Sequence, residues 1–185
     1  MREALGYVWA VPLLGGCPVG ARADRSDLLE FRSRRLGGIG VADRGARSVP
    51  VLPARFATVG VFLDRRTRSV VSLVGFHLVP GVQLAGAYRG DRPRLALRHR
   101  SEAAALSRVV EEELVLGRVV YAIGDSSFDG MWIAGLTSCR LGREDGPGTL
   151  GSARKIDDVF GPGRADAVRL LQTPSDHQAV LTRWP

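Results

Sequence analysis

A chain of 185 residues, 45% of them hydrophobic, holds apolar material for one ordinary domain of roughly 100 to 150 residues plus an extension, and not for two cores. No apolar run reaches the roughly 18 to 20 residues of a membrane span, and Cys17 and Cys139 lie far apart, which excludes a cysteine-rich zinc site or a dense disulfide framework and points to a reduced, cytoplasmic setting. The formal charge is +7 and Lys155 is the only lysine, so the positive charge is nearly all arginine, whose planar fork suits phosphate, nucleotide or RNA partners.

In chain order, the apolar start YVWAVPLLGGCPVG has some signal-peptide character, but the basic region before it is Arg2 alone and Glu3 follows at once. Residues 1–52 read as an N-terminal Arg/Gly-rich extension, with SDLLEF as a helical turn capped by Ser26. The core domain is expected over 53–185. ATVGVFLD and SVVSLVGFHLV are β-branched runs around the polar stretch Arg65 to Arg68, hence a hairpin. VPGVQLAGAYRGDRP carries Pro80-Gly81, Gly86 and Gly90 and reads as a loop or short strand with turns, and RLALR as one more short strand.

SEAAALSRVVEEELVLG predicts a helix over 101–115: Ser101 caps it, Leu106, Val110 and Leu114 recur at i+4, and Gly117 ends it. RVVYAI is a strand, GDSSFDG a turn, MWIAGLTSCRL the next strand and REDGPGTLGSARK a glycine-rich connection. ADAVRLLQ reads as a C-terminal helix and DHQAVLTRW as a further turn. The sum is an α+β fold, a layered α/β/α arrangement of a mixed sheet with one central amphipathic helix and a C-terminal helix.

The hairpin VGVFLDRRTRSVVSLVG, the loop FHLVPGVQLAGAYRG, the helix EAAALSRVVEEELVL and the strand GRVVYAI resemble, in that order, a Nudix hydrolase domain. Arg108, Val110, Glu112, Glu113 and Leu116 fit that family's helix motif, whereas Val109 stands at a glutamate position, Val115 at a glycine, Arg100 at the upstream glutamate and Arg94 at the first glycine. The resemblance implies a Nudix-like sheet that handles a nucleotide or other pyrophosphate, with Mg2+-dependent hydrolysis of a nucleoside diphosphate derivative. Arg108, Glu112 and Glu113 would be catalytic, Glu112 and Glu113 the Mg2+ ligands, and Arg89, Arg92 and Arg98 phosphate contacts. Val109 in place of a carboxylate equally admits a non-catalytic basic module that contacts RNA, nucleotide or an acidic protein. Read as helix chemistry alone, Glu111 and Glu112 are a solvated face.

GDSSFDG resembles two further blocks. In haloacid-dehalogenase-like phosphatases its Asp125 and Asp129 would hold Mg2+, but the required aspartate pair is broken at VFLDRRT, where Asp64 is followed by Arg66. In GDSL-type esterases Ser126 would be the nucleophile with Asp176 and His177 as partners, although these two are adjacent here. His77 in its apolar strand reads as a core or edge residue and His99 as part of a basic cluster, while Trp9, Trp132 and Trp184 are dispersed packing residues.

Overall fold

In the computed structural model, which describes residues 2–12, 15–45, 50–143, 145–150 and 154–185, the chain opens on a small antiparallel sheet of β1 (Arg2–Ala4), β2 (Tyr7–Ala10) and β3 (Val19–Arg22). A long strand β4 (Ser26–Gly37) follows, then the short ladder β5 (Gly40–Val41) and β6 (Val51–Leu52). The β-branched runs form the expected hairpin of β7 (Arg55–Asp64) and β8 (Val70–His77), whose turn is held by Asp64 Oδ1 accepting from the amides of Arg66 and Thr67. β9 (Gln83–Leu84) and β10 (Ala87–Tyr88) join through Ala85 and Gly86, both at positive φ. Helix α1 (Pro93–Val115) leads to β11 (Val119–Asp125), β12 (Thr137–Ser138), β13 (Asp157–Gly161) and a final hairpin of β14 (Ala167–Leu171) and β15 (Ala179–Arg183).

Six strands make the main sheet, in the order β12-β13-β11-β8-β7-β4. Among the described strands of this sheet only β8 and β11 run parallel, and the chain between them carries α1, because parallel neighbours need a long crossover that packs back on the sheet. Leu106, Val109 and Val110 of α1 bury one face of the sheet against Val59, Val74, Phe76 and Val120. Strands cover parts of the other face: Val8, Ala10 and Val19 pack on Phe62 and Leu73, and Val168, Val180 and Trp184 pack on Val159 and Cys139.

The mixed sheet and the central amphipathic helix are present, but several local expectations are corrected. ADAVRLLQ is β14 and not a C-terminal helix, because each residue from Ala167 to Leu171 finds a ladder partner in β15, which takes up most of the stretch read as a further turn. SDLLEF is the start of β4, paired antiparallel with β7, so Ser26 caps nothing and part of the stretch read as an extension is an edge strand of the main sheet. RLALR is helical, and α1 starts at Pro93 rather than Ser101. Pro93 suits the first helical position, and the Asp43 carboxylate accepts from the amides of Arg94 and Leu95, a cap supplied from 50 residues upstream. MWIAGLTSCRL is mostly irregular and contributes only Thr137–Ser138 as strand. In the glycine-rich connection, residues 144 and 151–153 lie outside the described residues. Among the described residues no helix is long and apolar enough to cross a membrane.

Candidate active site

Because β8 and β11 are parallel, both end at the same edge of the sheet, and such carboxyl ends are where open α/β sheets expose functional groups. The register puts His77, the last residue of β8, beside Asp125, the last of β11, and Asp125 beside Asp157, the first of β13. Paired residues on adjacent strands share a face, so the three side chains stand in a row. His177, six residues after β14 ends, joins them: the backbone bridge from Leu150 to His177 and the bond from Gln178 N to Thr149 O tie this turn to the connection before β13, whose Thr149 Oγ1 accepts from the Asp157 amide.

His177 Nδ1 lies 2.7 Å from Asp157 Oδ2, and His77 Nε2 lies 3.5 Å from Asp125 Oδ2. Asp125 is fixed from its other oxygen, since Oδ1 accepts from the Ser127 amide at 2.6 Å, with Ser127 at a φ of 55°. One ligand atom each from Asp125, Asp157 and His177 lies within 4.8 Å of the others, and all three residues are partly exposed. Arg55 donates to the His77 carbonyl at 3.4 Å and places a cation beside the group.

The two imidazoles differ. Burial is the largest influence on His77 and lowers its pKa, with Arg55 and His177 acting in the same sense and Asp125 and Asp157 opposing. Burial also works against a charged His177, but the hydrogen bond and charge of Asp157, with Asp125 and Asp176, outweigh it and raise its pKa. Cys17 stands close enough to feel the same charges: burial raises its pKa, Asp125 adds to that and Arg55 opposes it.

The helix residues singled out from sequence lie elsewhere. Glu113 is fully buried among Ser72, Arg32 and Arg118, five residues along β8 from His77, while Glu112 is half exposed and ion-paired to Arg34. Arg108 is exposed and shares a shallow depression with Glu111, Glu112, Val115 and Leu116. Arg89 pairs with Asp91, Arg92 donates to the Gly81 carbonyl, and Arg98 pairs with Glu102 and donates to the Pro53 carbonyl. Thus Glu112 and Glu113 turn to different guanidinium groups, and each of the three arginines is engaged locally.

The turn GDSSFDG behaves differently from either block it resembles. Ser126 is buried and its hydroxyl is spent on the carbonyls of Phe128 and Ile156. Asp129 accepts from the Lys155 amide instead of joining Asp125. His177 pairs with Asp157 and not with its neighbour Asp176. Asp157 belongs to none of the motifs in the sequence, and His77, expected as a core or edge residue, stands beside Asp125 at the end of β8. The signals were short, an apolar-Asp-Asp strand start in KIDDVF and an Asp-His pair 20 residues later, and only strand register shows that they meet.

No protein-family model and no curated protein matches the sequence. Solved structures do match the fold. The human Nocturnin catalytic domain with bound sulfate anion aligns at TM-score 0.64 and 14% identity, over 96% of this chain and 71% of that one. A mannosyl-6-phosphatase of Bacteroides thetaiotaomicron aligns at 0.58 and 14%, over 95% and 76%. An endonuclease/exonuclease/phosphatase of Bacteroides vulgatus aligns at 0.56 and 17%, over 89% and 68%. The chain therefore has the endonuclease/exonuclease/phosphatase fold, and the Nudix resemblance is overturned. What misled was the order hairpin, loop, helix, strand, which any crossover between two parallel strands of a mixed sheet produces.

Proposed function

We propose that the protein is a hydrolase of phosphate esters that works at the row of His77, Asp125, Asp157 and His177. The observation that carries this reading is the His177–Asp157 pair at 2.7 Å, set in register beside Asp125 at the carboxyl end of the parallel strands. Neighbours of the same fold whose names include a phosphatase support it.

The donors fit a divalent cation. Asp125 and Asp157 each place a carboxylate oxygen within 4.8 Å of the other, the hard oxygen donors that Mg2+ or Mn2+ accepts, and these two carboxylates would hold the ion. A bound ion would supply Lewis-acid polarisation of the phosphoryl group. His177 does the proton work: its Nδ1–H donates to Asp157, which fixes the tautomer and leaves Nε2 to take the proton of an attacking water. Asp125, held by the Ser127 amide, orients that water, and Arg55 with the neutral His77 receives the phosphoryl oxygens.

A panel of phosphomonoesters and phosphodiesters with Mg2+ and Mn2+ tests this. His177→Ala should lower kcat at least 100-fold, within the range for removal of a positioned base, while leaving metal affinity within about threefold. Asp125→Asn with Asp157→Asn should weaken metal binding itself. Full activity in His177→Ala, or no turnover of any ester by the wild type, defeats the proposal.

A further inference from the structure

Successive residues of a strand point to opposite faces, so while Asp157 faces the row of site residues, Asp158 and Phe160 face the α1 side of the sheet. There they floor a cavity of about 600 Å³, within the size range of small-molecule sites. Its walls combine apolar side chains, Met131, Trp132 and Leu141, with the cations Arg140 and Lys155. It reaches the site edge of the sheet, because Asp129, four residues after Asp125, and Lys155, two residues before Asp157, line it together.

Three features of the lining point to a ligand. Trp132 is 73% exposed, an indole left in water at the rim of an apolar hollow. Among the described residues the Lys155 ammonium has no hydrogen bond or ion pair, and the buried Nε of Arg140 has no partner although its Nη atoms donate to the carbonyls of Pro147 and Asp157. The acids nearby are already committed: Asp129 accepts from the Lys155 amide, and Asp158 accepts from Ser138, Cys139 and the Val159 amide. What the cavity offers a ligand is an exposed indole beside a lysine ammonium that has no hydrogen-bond or ion-pair partner among the described residues, with the charge of Asp158 turned toward Arg140.

We infer that this cavity takes the flat aromatic group of the substrate, stacked on Trp132, while Lys155 at the rim contacts its phosphate. The substrate class is then an aromatic or nucleoside phosphoester of nucleotide size, and this rests on the phosphoester reading above. Lys155 lies two residues before the start of β13 at Asp157, at most about 7 Å of extended chain, a span such a molecule bridges.

Adenosine 5′-monophosphate and ribose 5-phosphate, titrated by calorimetry against the full chain, separate ring from phosphate. The wild type should bind the nucleotide at least tenfold more tightly. Trp132→Ala should erase that preference, Lys155→Ala should weaken both ligands, and Asp125→Asn should leave the preference intact. Because Trp132 and the Lys155 side chain are not core residues, the variants should keep the wild-type melting temperature. Equal affinity for the two ligands, or a preference that survives Trp132→Ala, overturns the inference. A nucleotide preference lost in Trp132→Ala, without turnover of any ester by the wild type, supports the cavity and sinks the hydrolase reading instead.

Discussion

His77 and His177 face the same two carboxylates, Asp125 and Asp157, and their pKa values move in opposite directions. Burial decides at His77, and the direct hydrogen bond to Asp157 decides at His177. Histidine proton NMR should therefore show His177 titrating above the ordinary value of 6.5 and His77 below it. For a base that must be neutral, a raised pKa moves the acid limb of the rate profile to higher pH, so the acid limb of kcat/KM should lie above the ordinary imidazole value of 6.5. The stability linkage runs the other way. The His177 contribution is fully present below its unfolded value and is lost as pH rises through the folded one, and Asp157→Asn should remove that slope. A single titration shared by both imidazoles would contradict the geometry.

The paired glutamates separate by burial in the same manner. Glu113 is closed in with Arg32, Arg118 and Ser72, so Glu113→Ala leaves two guanidinium groups short of a carboxylate and should cost about 3 kcal/mol in urea unfolding. Glu112→Ala, on the wet side of α1 against Arg34, should change stability by less than about 1 kcal/mol. Equal losses would mean that the two carboxylates share one environment.

At the level of elements, the site depends on how closely β8 and β11 approach. A Cβ on Gly124 would stand 1.9 Å from the Phe76 carbonyl oxygen and 2.8 Å from its carbon, both backbone atoms that cannot swing aside. Gly124→Ala should thus part the strands just where His77 and Asp125 adjoin, with a loss of more than about 2 kcal/mol by denaturant titration and a larger fall in kcat than in substrate affinity. Wild-type activity in a folded Gly124→Ala protein would show that the register of these strand ends is not needed. The same level shows what the sequence could convey. The β7–β8 hairpin, the buried stripe of α1 and the β11 strand were legible because β-branched runs and i+4 spacing are local. The start of α1 was not, because its cap comes from Asp43, and β14 was not, because AVRLL fits a helical stripe as well as an alternating strand until β15 pairs with it. The row His77, Asp125, Asp157 is long-range register over 80 positions, so although GDSSFDG draws attention to Asp125, nothing local joins it to His77 or Asp157.

Across the whole molecule, the layer opposite α1 is divided. The β1–β3 sheet packs over β7 and β8 through Val19, Phe62 and Leu73, and the β14–β15 hairpin packs over β13 through Val159 and Val180. Between them runs a hollow of about 420 Å³ lined by Val71, Leu73, Val119 and Tyr121 of the parallel pair, with Asp64 and Arg66 at its end. Parallel strands are ordinarily covered on both faces, so this half-open apolar floor is unusual in kind. An apolar dye such as ANS should bind here in the native state and fluoresce, with intact near-UV circular dichroism to distinguish the signal from a loosened core. Leu73→Ser and Tyr121→Ser should each reduce that fluorescence, whereas Leu97→Ser, on the exposed side of α1, should not. If native protein leaves the dye dark, the two strand layers close over β8 and β11 in solution, and the floor that leads up to His77 and Asp125 is covered.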